Sequence, residues 1–542
     1  MRSWLGKRRA VLATGVAAAL PIIVSTVKAV AEGQVPLGDE ALIAVKSYDV
    51  FTADSPLLGP LSSGYSTVVG RPVFHPGPML FWLFAIPARL PWPEALAAAA
   101  GLVNLASVMG IVALARRRGG PLLMLAAAAA VTVMLASLPS AASSDIWNPS
   151  APTLPFLLLV FLAWSLACGE HRWLPLAVLI ASFVVQCHLG YLVPALVALA
   201  AGLGGLGLSR RSELARPPAR AWMAGAVVVG VICWSAPAID QATNSPGNLQ
   251  SIYRAIRADQ ATLGLDAGGR AVVRTVGVVP WWLERPKFGI ARAVDVTADP
   301  GLVATASAVL MLMALAALIV VGWRRNRPDV VSAATLALGL CAAVGLVTTS
   351  TPQQSATTLG YSLRLASPVG MWVWLTLGWS AATLFAARLP RVPRAAVPIG
   401  LAAVVATGLV VAVSGEFKDQ PYEQATAIAD RIDSAVPGER RILLGIGGAP
   451  DTSFVGLNLQ AGVLYALRRD GRDVVAGSAA NYLGPKYRPD GGDRVVRIDL
   501  GAPPPAGGRL LARLSVVESP DPDAPGPSQP PRRWRTTVTV LP

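Results

Sequence analysis

HPGPMLFWLFAIPARL, residues 75–90, is apolar enough to enter a bilayer, yet it is short and punctuated by Pro76, Pro78 and Pro87. A spanning helix needs roughly 20 apolar residues, so length alone does not say whether this run crosses. The basic clusters that follow it do. If it spanned, Arg116, Arg117 and Arg118 would face outward, and every later cluster would flip with them. If it is an interfacial, partly embedded helix, all the clusters fall on the cytoplasmic side: Arg116 to Arg118, Arg172, then Arg210, Arg211, Arg216 and Arg220. Arg324, Arg325 and Arg327 follow the same rule, as do Arg388, Arg391 and Arg394. The positive-inside bias therefore selects the interfacial reading.

Working outward, the chain of 542 residues is 53% hydrophobic and 14% charged, with a mean hydropathy of +0.53. A soluble domain carries about a quarter charged residues. The fold class expected is mainly α, a polytopic transmembrane helix bundle of about 11 spans followed by a C-terminal extracytoplasmic α/β domain. The spans are read as 10–27, 93–115, 120–139, 153–168, 173–187, 189–207, 221–238, 301–323, 330–350, 366–387 and 395–414. Residues 1–414 form the membrane domain, with a first outer loop over 32–92 that holds the interfacial helix 75–90. The N-terminus, with Arg2, Lys7, Arg8 and Arg9, is cytoplasmic, and the first helix stays uncleaved to anchor the segment 32–74. Ala29-Val30-Ala31 is the alternative, a signal-peptide cleavage site. The chain is thus expected in the inner (plasma) membrane.

Beyond residue 414 the composition changes. An amphipathic helix is expected over Gln424–Ser434, a strand over Arg441–Ile446 and a second helix over Ser453–Arg469. Strands are expected at Arg494–Leu500, Arg509–Val517 and Trp534–Leu541, with a Pro-rich loop over Ser519–Pro531. Residues 415–542 are read as one soluble domain, large enough for its own core.

Some function classes are disfavoured. The formal charge of +15 sits in short clusters between apolar runs, which is a topology signal and no nucleic-acid footprint. The four cysteines, Cys168, Cys187, Cys233 and Cys341, lie in or beside apolar segments with no disulfide framework or zinc spacing. Gly445-Ile446-Gly447-Gly448 lacks the lysine of a phosphate-binding loop. No metal ligand set is assigned; carboxylate-bound Mg or Mn stays open.

Polar residues at a bilayer are costly, so where they gather is informative. On this topology they collect on the outer face. Asp39 and Glu40 follow the first helix, with Lys46 and Arg71 further along its loop. His75 opens the interfacial segment, and Asp145, Trp147 and Asn148 lie between the third and fourth spans. Gln186 and His188 occupy a tight turn, and Asp240, Gln241, Asn244 and Asn248 follow the seventh span. Gln353, Gln354, Tyr361 and Arg364 precede the tenth.

The order of short motifs carries a resemblance. It runs Gly38-Asp39-Glu40, Pro56-Leu57-Leu58-Gly59-Pro60, His75-Pro76-Gly77-Pro78, Trp147-Asn148-Pro149, Gln186-Cys187-His188-Leu189-Gly190 and Pro246-Gly247-Asn248-Leu249. Over residues 1–390 this resembles actinobacterial members of the C-type glycosyltransferase superfamily, related to protein O-mannosyltransferases and aminoarabinose transferases. The resemblance implies an integral-membrane hexosyl- or pentosyltransferase. Its donor would be a polyprenyl-phosphate-linked sugar and its acceptor an extracytoplasmic glycan, lipid or protein. It implies a catalytic acid residue in the first outer loop, matched by Asp39 with Glu40 beside it.

Glycosyl transfer needs a base for the acceptor proton and a cation for the departing phosphate. Asp39 is the base candidate; otherwise it is a helix-end charge. Arg364 is the phosphate candidate, since a guanidinium matches phosphate oxygens with a planar fork; otherwise it anchors at headgroups. His75 and Lys46 are further phosphate candidates, with Arg71, Arg285 and Lys287 weaker. Asp145, Asn148, Gln186, His188, Asn248, Gln354 and Tyr361 are read as cavity-lining. For His75 and His188 the structural alternative is the satisfaction of local backbone groups. Trp147, Trp281 and Trp282 either stack on substrate or belong to the interfacial belt. A transporter or lipid flippase, and a non-enzymatic membrane scaffold, are the rival functions.

Overall fold

The computed structural model describes residues 2–214, 217–284, 296–384, 396–414, 420–436, 438, 440–448, 453–518 and 530–542. Arg216, Arg285, Lys287, Arg388, Arg391 and Arg394 lie outside the described residues, as does most of Ser519–Pro531. Among the described residues, five helices are long and apolar enough to cross a membrane: Ala95–Leu135, Leu189–Ser209, Ala219–Thr243, Leu302–Arg324 and Pro328–Thr349. Arg8–Ala18 and Leu20–Ala31, bent by 57°, make a sixth if counted as one span. The bend falls where Pro21 opens the second helix.

By these criteria the expected count of eleven is not reached. Thr153–Ala167, His171–Cys187 and Val397–Val413 are apolar but shorter. The expected spans 366–387 and 395–414 run partly outside the described residues. The expected pair 93–115 and 120–139 shares one element, Ala95–Leu135, interrupted at Gly119 and Gly120. Gly120 takes φ 72° and ψ −162°, which a Cβ would resist, and Pro121 follows without an N–H. Asn104 Nδ2 donates to Ser143 O at 2.9 Å, so the second arm runs back beside the first.

The interfacial helix expected over 75–90 is only partly helical. Met79–Phe84 form a helix of 6 residues and Pro87–Arg89 a 3-10 turn. Pro87 supplies no N–H and crowds the carbonyl four residues before it, so the helix ends ahead of it. Six residues rise about 9 Å, against about 30 Å of hydrocarbon, and this segment therefore does not span.

Two helices show how the bundle is polarised. Ser150, just before Thr153–Ala167, meets the Arg364 guanidinium. Glu170, just beyond that helix, accepts from Arg117 at 2.5 Å and Arg172 at 3.3 Å and pairs with Arg118. Arg364 likewise precedes Ala366–Leu384, and Arg325 donates to Leu384 O at the far end, at 2.9 Å. Basic clusters thus occupy one end of the bundle, and Arg364 with its neighbours the other.

At the Arg364 end sits the C-terminal unit. Its sheet has the order β2-β1-β3-β5-β4, built from β1 (Ile442–Gly448), β2 (Val474–Val475), β3 (Arg494–Leu500), β4 (Arg509–Glu518) and β5 (Arg532–Val540). β1 runs parallel to β2 and β3, while β5 is antiparallel to β3 and β4. The helix Tyr422–Ala435 buries Ala425, Ile428, Ala429 and Ile432, one stripe at helical spacing. Ser453–Arg469 packs on β1 with one side and on the helix Gly38–Asp49 with another.

That second contact turns on a buried carboxylate. Asp49 is fully buried. It accepts from Tyr487 Oη at 2.7 Å and Arg468 Nη2 at 3.2 Å, with Lys486 Nζ at 3.6 Å. Tyr465 Oη adds a bond to Ala88 O at 3.1 Å. Removing one partner of a buried charged set costs about 3–5 kcal/mol. Asp49→Asn is therefore expected to loosen the C-terminal unit from the first loop. Hydrogen exchange would read this as lost protection over Gly38–Asp49 and Ser453–Arg469 together; unchanged protection would show that the apolar contact alone suffices.

Candidate functional site

The helix Gly38–Asp49 opens the site. Gly38 has φ 52°, and a Cβ there would lie 2.4 Å from Asn458 Oδ1, so glycine lets the helix start hard against the C-terminal unit. Asp39 and Glu40 fill the first turn, where backbone N–H groups and the helix dipole favour negative charge. Lys46 follows two turns later, on the Asp39 side of the helix.

Trp147 joins the two principal candidates. Its Nε1 donates to Asp39 Oδ2 at 3.2 Å, and the Arg364 Cζ stands 5.0 Å from the centre of its ring. The loop holding it is braced from within: Trp147 N–H and Ser150 Oγ donate to the two Asp145 oxygens, at 3.2 and 2.9 Å. Arg364 is 2% exposed, bonds Ser150 Oγ, and lies within electrostatic reach of both Asp145 and His188. Tyr361 packs edge-on against Trp147 with ring centres 5.1 Å apart.

A cavity of about 500 Å³, counted to its open mouth, lies on the Asp39 side of Trp147. Asp39, Lys46, Ser63 and Asn148 supply its polar lining, and Leu42, Ile43, Pro60, Leu61 and Phe81 its apolar lining. Tyr482 and Leu483 close it from the C-terminal unit, where Lys46 Nζ donates to Leu483 O at 3.2 Å.

Three carboxyls share this region, and their environments separate them. Asp39 keeps an open face to the cavity. Enclosure by protein on its other sides raises its pKa above 3.8, and the Trp147 bond opposes the rise. Glu40 is pushed up further, by burial first and then by the charges of Asp145 and Asp39. Burial pushes Asp145 up to about 6 against the pull of Arg364, Ser150 and Trp147. The surroundings of Glu40 thus favour its protonated form, and Asp39 is the carboxyl that faces open space. Among the described residues, no three His, Cys, Asp or Glu side chains converge as a metal-ligand set.

Other expected residues are placed differently. Both His75 ring nitrogens are engaged: Nδ1 accepts from Leu189 N–H at 3.1 Å, and Nε2 lies 3.0 Å from Asn148 Nδ2. His75 thus ties three loops together and has no nitrogen facing a phosphate. Gln186 does not line this cavity; it accepts from Met79 N–H at 3.3 Å and donates to Cys233 O at 2.7 Å. Asn248 is likewise spent on backbone, accepting from Phe74 N–H and donating to Phe74 O, each at 2.9 Å. Gln186 satisfies the first N–H of the helix Met79–Phe84 and the Cys233 carbonyl, whose partner four residues on is Pro237, while Asn248 satisfies the loop backbone at Phe74. Gln354 is exposed and outside the cavity lining. Arg71 turns to Ser251. His188 accepts from Gly190 N–H through Nδ1 at 3.2 Å and stacks at 5.0 Å from His75. Burial first, then Arg364, lowers its pKa to about 4, so it is neutral, and Nε2 carries its hydrogen.

Sequence reasoning weighed Trp147 only as a stacking or belt aromatic and assigned no role to Ser150 or Tyr482. Trp147 was marked by its place in the Trp147-Asn148-Pro149 motif and by Asp145 nearby; nothing local marked Tyr482.

Trp147→Phe tests the Asp39 environment. Phenylalanine keeps a ring beneath Arg364 but removes the bond that lowers the Asp39 pKa. The carboxyl would then hold its proton to higher pH. If Asp39 must be ionised to act, the acid limb of the pH–rate profile is expected to move upward; a limb that stays put would detach Asp39 from it.

No family model matches the sequence, and no curated protein matches it. Among solved structures, the chain is similar to ArnT from Cupriavidus metallidurans bound to undecaprenyl phosphate, with a TM-score of 0.53, 14% identity and 97% of each chain covered. A second likeness is to the archaeal oligosaccharyltransferase AglB from Archaeoglobus fulgidus, in complex with an inhibitory peptide and a dolichol-phosphate. There the TM-score is 0.31 at 13% identity, over 85% of this chain and 68% of that one, too low to build on. The first likeness is one of fold: the chain shares the fold of ArnT over nearly its whole length.

Proposed function

We propose that this chain is an inverting membrane glycosyltransferase, moving a hexosyl or pentosyl unit from a polyprenyl-phosphate donor to an extracytoplasmic acceptor. The observation that carries the reading is the Asp39–Trp147–Arg364 arrangement: a carboxylate open to a cavity at the Nε1 edge of one indole, and a buried guanidinium over its face. The acceptor hydroxyl would enter from the cavity and give its proton to Asp39. Its oxygen would bond to the anomeric carbon as the bond from that carbon to the phosphate oxygen breaks. The electron pair leaves with the polyprenyl phosphate, whose growing charge Arg364 stabilises. A single displacement inverts the anomeric configuration. Glu40 and Asp145 set the field around these two groups, and His75 positions the loops.

The similar structure of ArnT, which binds undecaprenyl phosphate, supports a lipid-phosphate donor. So does an apolar groove lined by Trp282, Met371, Trp374 and Trp379 along the helix that begins just after Arg364. In this reading the Arg364 end of the bundle, with the C-terminal unit, is extracytoplasmic and the basic end cytoplasmic. The transporter reading would place charges in mid-membrane. Among the described residues, the buried charged side chains of the helical part, Asp49, Asp145, Asp240 and Arg364, all lie at helix ends or in loops. The test is reconstitution in liposomes with radiolabelled polyprenyl-phosphate sugars and a membrane-extract acceptor. Label should reach an acceptor and polyprenyl phosphate should accumulate. Movement of donor across the bilayer without a covalent product would replace this reading with the flippase.

A further inference from the structure

The cavity beside Asp39 has a wall that the membrane bundle does not supply. Tyr482 and Leu483 come from the short helix Ala480–Leu483 of the C-terminal unit, and Lys46 Nζ holds the Leu483 carbonyl at 3.2 Å. The chain spends three further polar ties on the same junction: Asp49 with Tyr487, Asp49 with Arg468, and Lys486 with Asp54 at 2.6 Å. Residues 482 and 483 are therefore fixed over the cavity, a few positions from this anchor.

The lining mixes chemistries. Asp39, Asn148 and Lys46 offer an acceptor, a carboxamide and an ammonium, and the Tyr482 ring, half-exposed, adds an aromatic face with a hydroxyl at its edge. Arg364 is absent from this lining and lies over the face of Trp147, whose Nε1 edge meets Asp39. An inverting displacement brings nucleophile and leaving group to opposite faces of the sugar ring. If the phosphate takes the Arg364 side, the cavity belongs to the acceptor. A sugar is amphipathic in the manner of this lining: its C–H face lies on an aromatic ring while its hydroxyls bond to carboxylate and amide. A lipid chain would leave the polar groups unpaired.

Resting on the glycosyltransferase reading, we propose that this cavity is an acceptor subsite for the terminal sugar of a glycan, with Tyr482 of the C-terminal unit as its recognition residue. The unit would then select the acceptor while the bundle performs the transfer. Tyr482 interacts with the Asp39 charge, so recognition and the base share one space.

Saturation-transfer NMR on the full chain in nanodiscs tests this, with methyl glycosides of hexose and pentose disaccharides as probes. At least one sugar is expected to show contact in the wild-type protein. Tyr482→Ala should lose that signal at least tenfold, Tyr482→Phe should keep most of it, and Asp39→Asn should keep it while losing transfer. Both Tyr482 variants are checked for folding by hydrogen exchange over Ser453–Arg469. No contact with any sugar, or equal contact in Tyr482→Ala, overturns the assignment, as does competition of a Ser/Thr peptide for the same signal. Binding is read without turnover. Failure of the transferase reading would therefore show separately, as absent transfer from polyprenyl-phosphate sugars with sugar contact intact.

Discussion

Asp39→Asn is expected to reduce glycosyl transfer by about 10²–10⁴-fold, the range that a positioned general base contributes. Asparagine is nearly the same shape and can still accept from Trp147 Nε1, which lies 3.2 Å from Oδ2 in the wild type. The helix Gly38–Asp49 should therefore start where it does now, and stability should hold. The change removes only the ability to take a proton. Because burial raises the Asp39 pKa, the wild-type carboxylate is also a stronger base than a free aspartate. The wild-type rate is accordingly expected to rise with pH on a limb above the ordinary 3.8, as Asp39 gives up its proton. Glu40→Gln is the contrast: burial and the neighbouring carboxyls favour the protonated form of Glu40, so amidation changes it less and transfer should fall far less. Equal losses in the two variants would argue that the first turn acts as a unit and that Asp39 is not the base.

Arg364→Ala carries the second large effect, on two readouts. The guanidinium is 2% exposed, and its charge is the largest influence opposing the burial of Asp145. Without it a buried carboxyl loses its cation, at a cost of about 3–5 kcal/mol, and Asp145 is expected to take up a proton. Transfer should fall by about 10²–10³-fold beyond any loss of folded protein, the scale of one lost electrostatic contact to a developing charge. Arg364→Lys separates the two. The ammonium preserves the charge facing Asp145 and much of the stability, but it lacks the planar fork for phosphate oxygens. A lysine variant that is stable yet slow supports a phosphate ligand; one that is stable and fully active reduces Arg364 to an ion-pair partner.

How much of this was legible in sequence follows from which interactions are local. The apolar runs, the basic clusters and the punctuation by proline are short-range features, and they gave a helical bundle with its polar residues gathered together. The helix Ser453–Arg469 and the strand Arg494–Leu500 fall where periodicity sets them. The two-residue strand β2 offers no periodicity to read. The break between the expected spans 93–115 and 120–139 falls beside Gly119–Gly120, where the element folds back, whereas the bend at Pro21 inside 10–27 leaves no mark in hydropathy. Gln186 and Asn248 looked like site residues since they are polar near the membrane, but helix backbone takes the first amide and loop backbone the second, through contacts distant in sequence. Tyr482 was invisible for the opposite reason. Its place beside Asp39 depends on a docking contact such as Tyr487 to Asp49, 438 positions apart in the chain.

A structure of the full chain in nanodiscs with bound polyprenyl phosphate tests the central arrangement most directly. The phosphate is predicted beside the Arg364 guanidinium, with the prenyl chain leading into the apolar groove along Ala366–Leu384. A phosphate bound instead among Arg117, Arg118 and Arg172, at the other end of the bundle, would contradict it.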